Sequence, residues 1–303
     1  MGGGTWRLAP SVLDGLSAPS AWTGLPSRLS TEHQAWSVID EVRQATEKAG
    51  PAPNGWLDAL TVDSGLQVGD APLSLRRIVH QRRSAVDMDG RTGISRAAFL
   101  QILRKLLPGP DQLPWTTLGW RPRVHPVFFV HRVADLAPGL YLLARDGDPE
   151  RLRPHLDPAF AFTAVEPGLP LCLLQEADVR AVAQGLSCGQ AIASEGCFAV
   201  AMLGELAEAL EIAGPWAWKR LHWEAGLIGQ VLYLEAEATG IRGTGIGCFF
   251  DEPTHQLLLS REAWRAERLV DLYHFTAGGP VEDPRLQTLP PYAHRDPALA
   301  PRS

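Results

Sequence analysis

One stretch, residues 216–239, limits the choice of fold more than any other. Leu221, Ala225, Ile228 and Leu232 recur through it at helical spacing, and Gly240 ends it. It reads as one long helix whose apolar stripe the rest of the domain has to cover. Its small residues Ala225, Gly226 and Gly229 permit close approach of another helix. Upstream, residues 178–186 read as a helix, and residues 199–210 as another with Met202, Leu203, Leu206 and Leu210 inward.

Before these lie residues 74–83, a short helix ending at Ser84, and a turn at Asp89-Gly90. Ser95 then caps a helix striped by Phe99, Ile102, Leu103 and Leu106, which Pro108-Gly109-Pro110 stops. Residues 126–133 are β-branched and aromatic, and the turn Ala137-Pro138-Gly139 joins them to residues 140–144, so the pair reads as a hairpin. Residues 145–170 read as loop, 240–247 as a glycine-rich loop, and 248–250 and 269–276 as strands. Helices and strands interleave without a regular βαβ series. The expected class is α+β, with a mixed, mostly antiparallel sheet flanked by helices.

The ends differ. Residues 1–73 carry Gly2-Gly3-Gly4, Pro10, Pro19, Pro26, Pro51 and Pro53 around one helix, from Ser30 or Thr31 to Lys48, with Trp36, Ile39 and Val42 on one face. Such a segment cannot build its own core and reads as an arm that packs on the main domain or on a partner. The expected division is an arm at 1–73, a domain at 74–293 and a flexible tail at 294–303.

Composition closes off several classes of function. Of 303 residues, 45% are hydrophobic and 20% charged, which excludes wholesale disorder. The 28 basic and 34 acidic residues give a net charge of −6, so nothing draws the chain to nucleic acid or an anionic membrane. No apolar run reaches the roughly 18 residues of a membrane span. The start of the chain lacks the features of a secretory signal, and the expectation is a soluble, cytoplasmic protein. Cys172, Cys188, Cys197 and Cys248 contain no C-x-x-C and no paired histidine motif, so no metal site is expected and they read as buried thiols. Lys48, Lys105 and Lys219 are the only lysines, an arginine excess that reads mainly as coding bias.

Two segments could carry chemistry. Gly240-Ile-Arg-Gly-Thr-Gly-Ile-Gly247 lets backbone approach a flat or phosphorylated ligand, or simply connects a helix to a strand. It lacks the strand-before, helix-after setting of the dinucleotide fingerprint. Gln81-Arg82-Arg83-Ser84 sets two guanidinium forks and a hydroxyl at a helix end, where they could hold a phosphate or form a solvated face. His222 and Glu224 read as proton donors near a cofactor or as a helix-surface pair. Cys188 and Cys197, with Gln190 between, read as structural, and His131 and Tyr141 as packing. No Ser/His/Asp set or paired-carboxylate arrangement stands out.

Arg82-Arg83-Ser84 after a short helix resembles the N-terminal motif of the nitroreductase-like, FMN-dependent family. His131-Arg-Val-Ala-Asp-Leu-Ala-Pro-Gly-Leu-Tyr141 resembles the hairpin of its SagB-type (thiazole/oxazole dehydrogenase-like) branch. Trp223-Glu-Ala-Gly-Leu-Ile-Gly-Gln230, Gly245-Ile-Gly-Cys-Phe-Phe-Asp-Glu252 and Tyr273-His-Phe-Thr-Ala-Gly-Gly-Pro280 are similar to later segments of that branch. The resemblance covers residues 74–293, and the region at 20–50 looks like the linker before the second half of tandem members.

The resemblance implies an FMN-dependent oxidoreductase that transfers hydride through the flavin, on a ribosomal-peptide azoline or another small substrate. Arg82, Arg83 and Ser84 match the segment that holds the FMN phosphate and ribityl chain. Arg242, Gly243, Thr244, Gly245, Ile246 and Gly247 match the backbone near the isoalloxazine N5 and O4, and Arg285 a later basic residue on the phosphate. It also implies a homodimer with the flavin at the interface, and a peptide substrate or a partner protein encoded nearby. Val86 stands where the family commonly has another arginine, and Trp120-Arg-Pro-Arg-Val-His-Pro126 where the branch has a small Ser/Gly segment reaching the flavin. These departures favour the alternative, a non-catalytic domain that scaffolds or binds a peptide or partner. A third reading is a flavin-binding protein that consumes FMN.

Overall fold

The computed structural model describes residues 73–109 and 112–286 without a break, residues 30–32, 34–48 and 61–63, and positions 11, 14, 28, 50 and 65. The chain divides into two units, Met1–Gln44 and Ala45–Ser303. The glycines and prolines expected to mark the arm, and the tail at 294–303, lie outside the described residues. Of the arm helix, Ser37–Ala45 (α1) is helical, shorter than the sequence suggests. Trp36, Ile39 and Val42, read as its packing face, are exposed.

The second unit is built on a sheet of strands β1 (Val124–Val130), β2 (Gly139–Leu143), β3 (Thr163–Ala164), β4 (Leu171–Glu176), β5 (Phe198–Gly204), β6 (Arg242–Ile246) and β7 (Val270–Gly278). Its order is β3-β4-β2-β1-β5-β7-β6. Every strand pair is antiparallel, so the sheet is not mixed; the parallel feature is an isolated bridge between Ile94 and Val133. The helices are α2 (Leu75–Gln81), α3 (Arg96–Leu106), α4 (Pro149–Leu152), α5 (Arg180–Leu186), α6 (Ile192–Glu195), α7 (Leu206–Ala213), α8 (Ala217–Ala238), α9 (Asp251–Leu258) and α10 (Arg261–Arg265). None of the described helices is long and apolar enough to cross a membrane.

The central strand β5 corrects the sequence reading of a helix at 199–210. All of Phe198–Gly204 is buried, because helices cover both faces of the sheet. Phe198, Val200 and Met202 enter the core shared with α3 and α8, whereas Ala199, Ala201 and Leu203 enter the core shared with α5 and α9. A strand buried on both faces loses the polar alternation that marks a strand. On the α8 side, Phe99, Phe128 and Phe198 meet edge-to-face at centroid distances of 5.3–5.6 Å. Leu221, Ala225, Ile228 and Leu232 are buried as expected. Among the small residues of α8, only Gly226 faces out; Gly229 backs onto Phe275.

The glycine-rich segment is also corrected. Residues 242–246 form edge strand β6, while 248–250 carry no strand. Residues 145–170, read as loop, contain α4 and β3.

Arg145 and Glu224, both 0% exposed, form an ion pair that joins α3, β1 and α8. Arg145 donates from Nε to the Leu106 carbonyl at the end of α3 and from Nη1 to that of Val124 in β1. Its guanidinium lies 4.3 Å from the Trp115 ring. Glu224 in turn accepts the backbone N–H groups of Arg123 and Val124, at 3.0 and 3.1 Å, and the Trp120 indole N–H. Glu224 is therefore not a surface residue, and both its oxygens are engaged as acceptors inside the domain.

Beside this pair, Glu205 bonds His125 and Arg151, and Asp146 bonds Arg121 and Arg151. His125 accepts the Arg145 N–H at Nδ1, which leaves the Nε2 proton for Glu205. Ligand atoms of His125, Asp146 and Glu205 lie within 4.8 Å of one another, but Arg121, Arg123 and Arg151 already supply the countercharge. Burial pushes the Glu205 carboxyl up, yet the His125 hydrogen bond and Arg151 outweigh it and hold it at about 2.

Removing one member of a buried pair strands the other charge, so Glu224→Ala should lower stability by about 3–5 kcal/mol in urea unfolding, with most of the loss recovered in Arg145→Met/Glu224→Leu. The Glu205 carboxyl sits below its ordinary 4.5, so its contribution is complete above that pH and is lost as pH falls towards 2. The urea midpoint should fall over that window, and Glu205→Gln should flatten the fall.

Candidate functional site

Ser74 caps α2 by accepting the Arg77 N–H, and the helix delivers Arg82, Arg83 and Ser84 at its C-terminal end. The chain then runs beside edge strand β6. The Ala85 N–H donates to the Gly243 carbonyl at 3.1 Å, and the Thr244 hydroxyl donates to the Ala85 carbonyl at 2.7 Å. The two motifs, 158 positions apart between Arg82 and Gly240 in the chain, are thereby neighbours.

Tyr233 of α8 joins them. Its hydroxyl accepts the Gly245 N–H at 2.9 Å and shares a 2.9 Å hydrogen bond with the Ser84 hydroxyl. The Arg82 guanidinium lies 4.8 Å above the Tyr233 ring, whose other contact is the edge-to-face Phe275 at 4.9 Å. Neither motif points to Tyr233 in sequence. The available signal was a lone tyrosine next to the apolar stripe of the long helix.

The glycines of β6 have an internal reason. A Cβ on Gly243 would come within 2.5 Å of Phe275 and 3.4 Å of Tyr233, and one on Gly245 within 2.8 Å of the Tyr273 hydroxyl. Gly247 differs, since nothing lies within 4 Å of a Cβ there.

Electrostatics separate the arginines. Among the described residues, no carboxylate pairs with Arg82 or Arg83; Arg83 donates to the carbonyls of His80 and Arg82 at 3.0 and 2.8 Å. Arg242 pairs with Glu282 at 3.0 Å. Arg285 is exposed and pairs with Asp283 at 2.7 Å. Two guanidiniums without acids beside an exposed hydroxyl suit a phosphate, because charge-assisted bonds to an anion are then open. Val86, the first departure from the family pattern, is exposed. The second departure, residues 120–126, is committed elsewhere: Trp120 and the amides of Arg123 and Val124 hold Glu224, Arg121 holds Asp146, and Arg123 holds Glu205 and Glu208.

The thiols divide unequally. Cys188 and Cys248 form a disulfide with a Cα–Cα distance of 5.9 Å, which corrects the reading of four buried thiols. Cys172 and Cys197 are free and buried. Ser187, His274 and Asp271 form a hydrogen-bonded chain, 3.3 Å from Ser187 Oγ to His274 Nδ1 and 2.7 Å from His274 Nε2 to Asp271. Sequence spacing did not single out this Ser/His/Asp set, and Ser187 is 1% exposed, so its hydroxyl cannot act on an external substrate. His222 is exposed and donates from Nδ1 to the Trp218 carbonyl one turn earlier. His131 and Tyr141 are buried as read; burial pushes the His131 imidazole down to about 4, and Tyr141 donates to the Ala137 carbonyl.

Tyr233→Phe keeps the ring and deletes the acceptor for Gly245. It should cost about 1–3 kcal/mol, and the Gly245 amide should exchange faster with deuterium while β7 and β5 keep their protection.

No protein-family model matches the sequence, and no curated protein does. Solved structures do share the fold. A nitroreductase candidate from Anabaena variabilis superposes with a TM-score of 0.56 at 19% identity, over 86% of this chain and 51% of that one, so this chain spans about half its length. A nitroreductase candidate from Ralstonia eutropha matches at TM-score 0.47 and 13% identity, over 78% and 98% of the two chains. The NADPH:FMN oxidoreductase of Vibrio harveyi matches at 0.43 and 13%, over 71% and 72%. The chain has a nitroreductase-like α+β fold.

Proposed function

We propose that this protein is an FMN-dependent oxidoreductase of the SagB-type class, acting as a cytoplasmic homodimer. The observation that carries the reading is the meeting, at Tyr233, of the Arg82 guanidinium with Ser84 and the glycine strand β6, with Arg83 next in the chain and no carboxylate paired to either arginine among the described residues. These residues fit FMN. Arg82 and Arg83 would hold its phosphate and Ser84 a ribityl hydroxyl, with Arg285 adding a further cation on leaving Asp283. The backbone of residues 242–247 would border the ring, with the open space at Gly247 admitting it. When bound, FMN supplies hydride exchange with a reduced nicotinamide or with a substrate such as a peptide azoline.

The remaining work falls to this chain's own groups. Tyr233 fixes the β6 backbone through Gly245 and orients the Ser84 hydroxyl, so both present a preformed surface. Phe275 and Tyr273 exclude water from beneath β6. The exposed stripe of α8, with Trp223, Gly226 and Gln230, is the surface offered to a second copy. The chain spans about half the length of the Anabaena protein, as one half of a tandem protein would; a peptide or a neighbouring gene product would be its other partner.

A non-catalytic domain is the second reading, favoured because Tyr233 already engages both Ser84 and the Gly245 amide. Flavin-fluorescence titration separates the two. The oxidoreductase reading predicts that FMN binds at least about tenfold tighter than riboflavin, and that Arg82→Ala and Arg83→Ala each weaken FMN by about 1.5–3 kcal/mol with little effect on riboflavin. Equal affinities for the two flavins, or indifference to both substitutions, would sink this placement of the phosphate.

A further inference from the structure

We propose that the Cys188–Cys248 disulfide is a thiol–disulfide exchange site that takes a dithiol as its reaction partner. Its redox state sets whether residues 247–250 are held against residues 186–190. That this latch borders a flavin site rests on the function proposed above; the latch itself does not.

Sixty positions separate the two cysteines, and their bond ties the segment leaving β6 to the loop leaving α5. Weaker contacts run alongside. The Phe250 N–H donates to the Leu186 carbonyl at 2.8 Å, and Gln190 Nε2 donates to the Cys248 carbonyl at 3.1 Å. The Phe249 ring stacks on His274 at 4.6 Å and 13°. Without the covalent bond, these contacts, the more distant Tyr273 ring at 6.4 Å from Phe249, and the Thr254 bonds to the Phe250 carbonyl hold a partly exposed segment. Among the described residues, only two of its hydrogen bonds reach residues 186–190.

The loop carries backbone strain at the cysteine itself, although Gln184 and Gln190 hydrogen-bond within it. Cys188 has φ 55° and Gly189 φ 73°, so a non-glycine residue sits in the left-handed region that its side chain disfavours. Nothing lies within 4 Å of a Cβ on Gly189 or on Gly247, so both flanks have room. The other thiols do not compete: Cys172 and Cys197 are buried, and burial pushes the Cys197 thiol up to about 11. Cys248 is exposed and Cys188 half-buried, so an incoming thiolate reaches Cys248 first.

The exchange balances without a further reactant. A thiolate of the dithiol attacks the Cys248 sulfur, and Cys188 leaves as a thiolate and takes a proton. The second thiol of the dithiol then displaces Cys248 from the mixed disulfide. Two electrons and two protons pass from the dithiol, which ends as a disulfide, to the cysteine pair. Opening the bond frees Gly247 and the segment beyond it, next to the strand whose amides would border the flavin.

Dithiothreitol serves as the dithiol in the test, applied to the full chain. In the air-oxidised protein, Cys188 and Cys248 should resist alkylation, and both should label after mild dithiol treatment while Cys172 and Cys197 stay protected. Deuterium exchange in residues 186–190 and 247–250 should then rise about tenfold, and Cys188→Ser/Cys248→Ser should exchange like the reduced form. Labelling of the pair before any dithiol is added, or unchanged exchange after reduction, overturns the proposal. Titration of FMN into both forms adds a separate readout, with affinities expected to differ about tenfold. Equal affinities overturn the link to the flavin site. No binding in either form overturns the flavin function, while the exchange data still decide the latch.

Discussion

The buried pair of Arg145 and Glu224 fixes the long helix α8 to the sheet, and the position of the candidate site follows from it. Glu224 sits in the first half of α8 and gathers the amides at the start of β1, while Arg145 reaches the end of α3 and the β1 backbone. A helix fixed there by charge-assisted bonds has one remaining freedom, its rotation, and the stripe of Leu221, Ala225, Ile228 and Leu232 removes it. Nine residues on, roughly 14 Å along the axis, Tyr233 is carried to β6. Desolvating an arginine and a glutamate is costly, and the bonds made by Arg145 Nε and Nη1 and by both Glu224 oxygens offset that cost, while Arg145 Nη2 has no hydrogen-bond partner among the described residues.

From that junction the two ends of the sheet take different tasks. At the β1 end, where Val124 lies opposite Gly204 and Gly204 opposite Val270, arginines and acids neutralise one another in a buried network. At the β6 edge, Glu237 bonds Gln81 and Glu282 pairs with Arg242, but no carboxylate among the described residues pairs with Arg82 or Arg83. Tyr233 lies between a packed core and this uncompensated charge, with its ring on Phe275 and its hydroxyl on the backbone. The segment leaving the same strand is held by a covalent bond that a small thiol can open.

Much of this arrangement was legible in the residues. The stripes of α3 and α8 are one-sided patterns, and one-sided burial leaves a period to read. The cap at Ser95 was visible too, and the β1–β2 hairpin, though buried throughout, showed in its β-branched and aromatic residues and its Ala137-Pro138-Gly139 turn. Strand β5 left none, because helices cover both of its faces. Glycine disfavours strands, so β6 looked like a loop; only Phe275 and Tyr273, distant in sequence, explain why side chains are excluded there. The two motifs of the site were visible, but Tyr233 was not, since its role depends on both. Buried arginines and glutamates look like surface residues in composition, and cysteine spacing cannot give a pairing across 60 positions.

The absorbance and fluorescence of purified protein, recorded before and after adding FMN, bear most directly on the central claim that this edge of the sheet is a flavin site. The account predicts a flavin band that stays with the protein through gel filtration, quenched in fluorescence and saturating at one FMN per chain. A colourless protein that leaves added FMN fully fluorescent, with Arg82 and Arg83 intact, would contradict it.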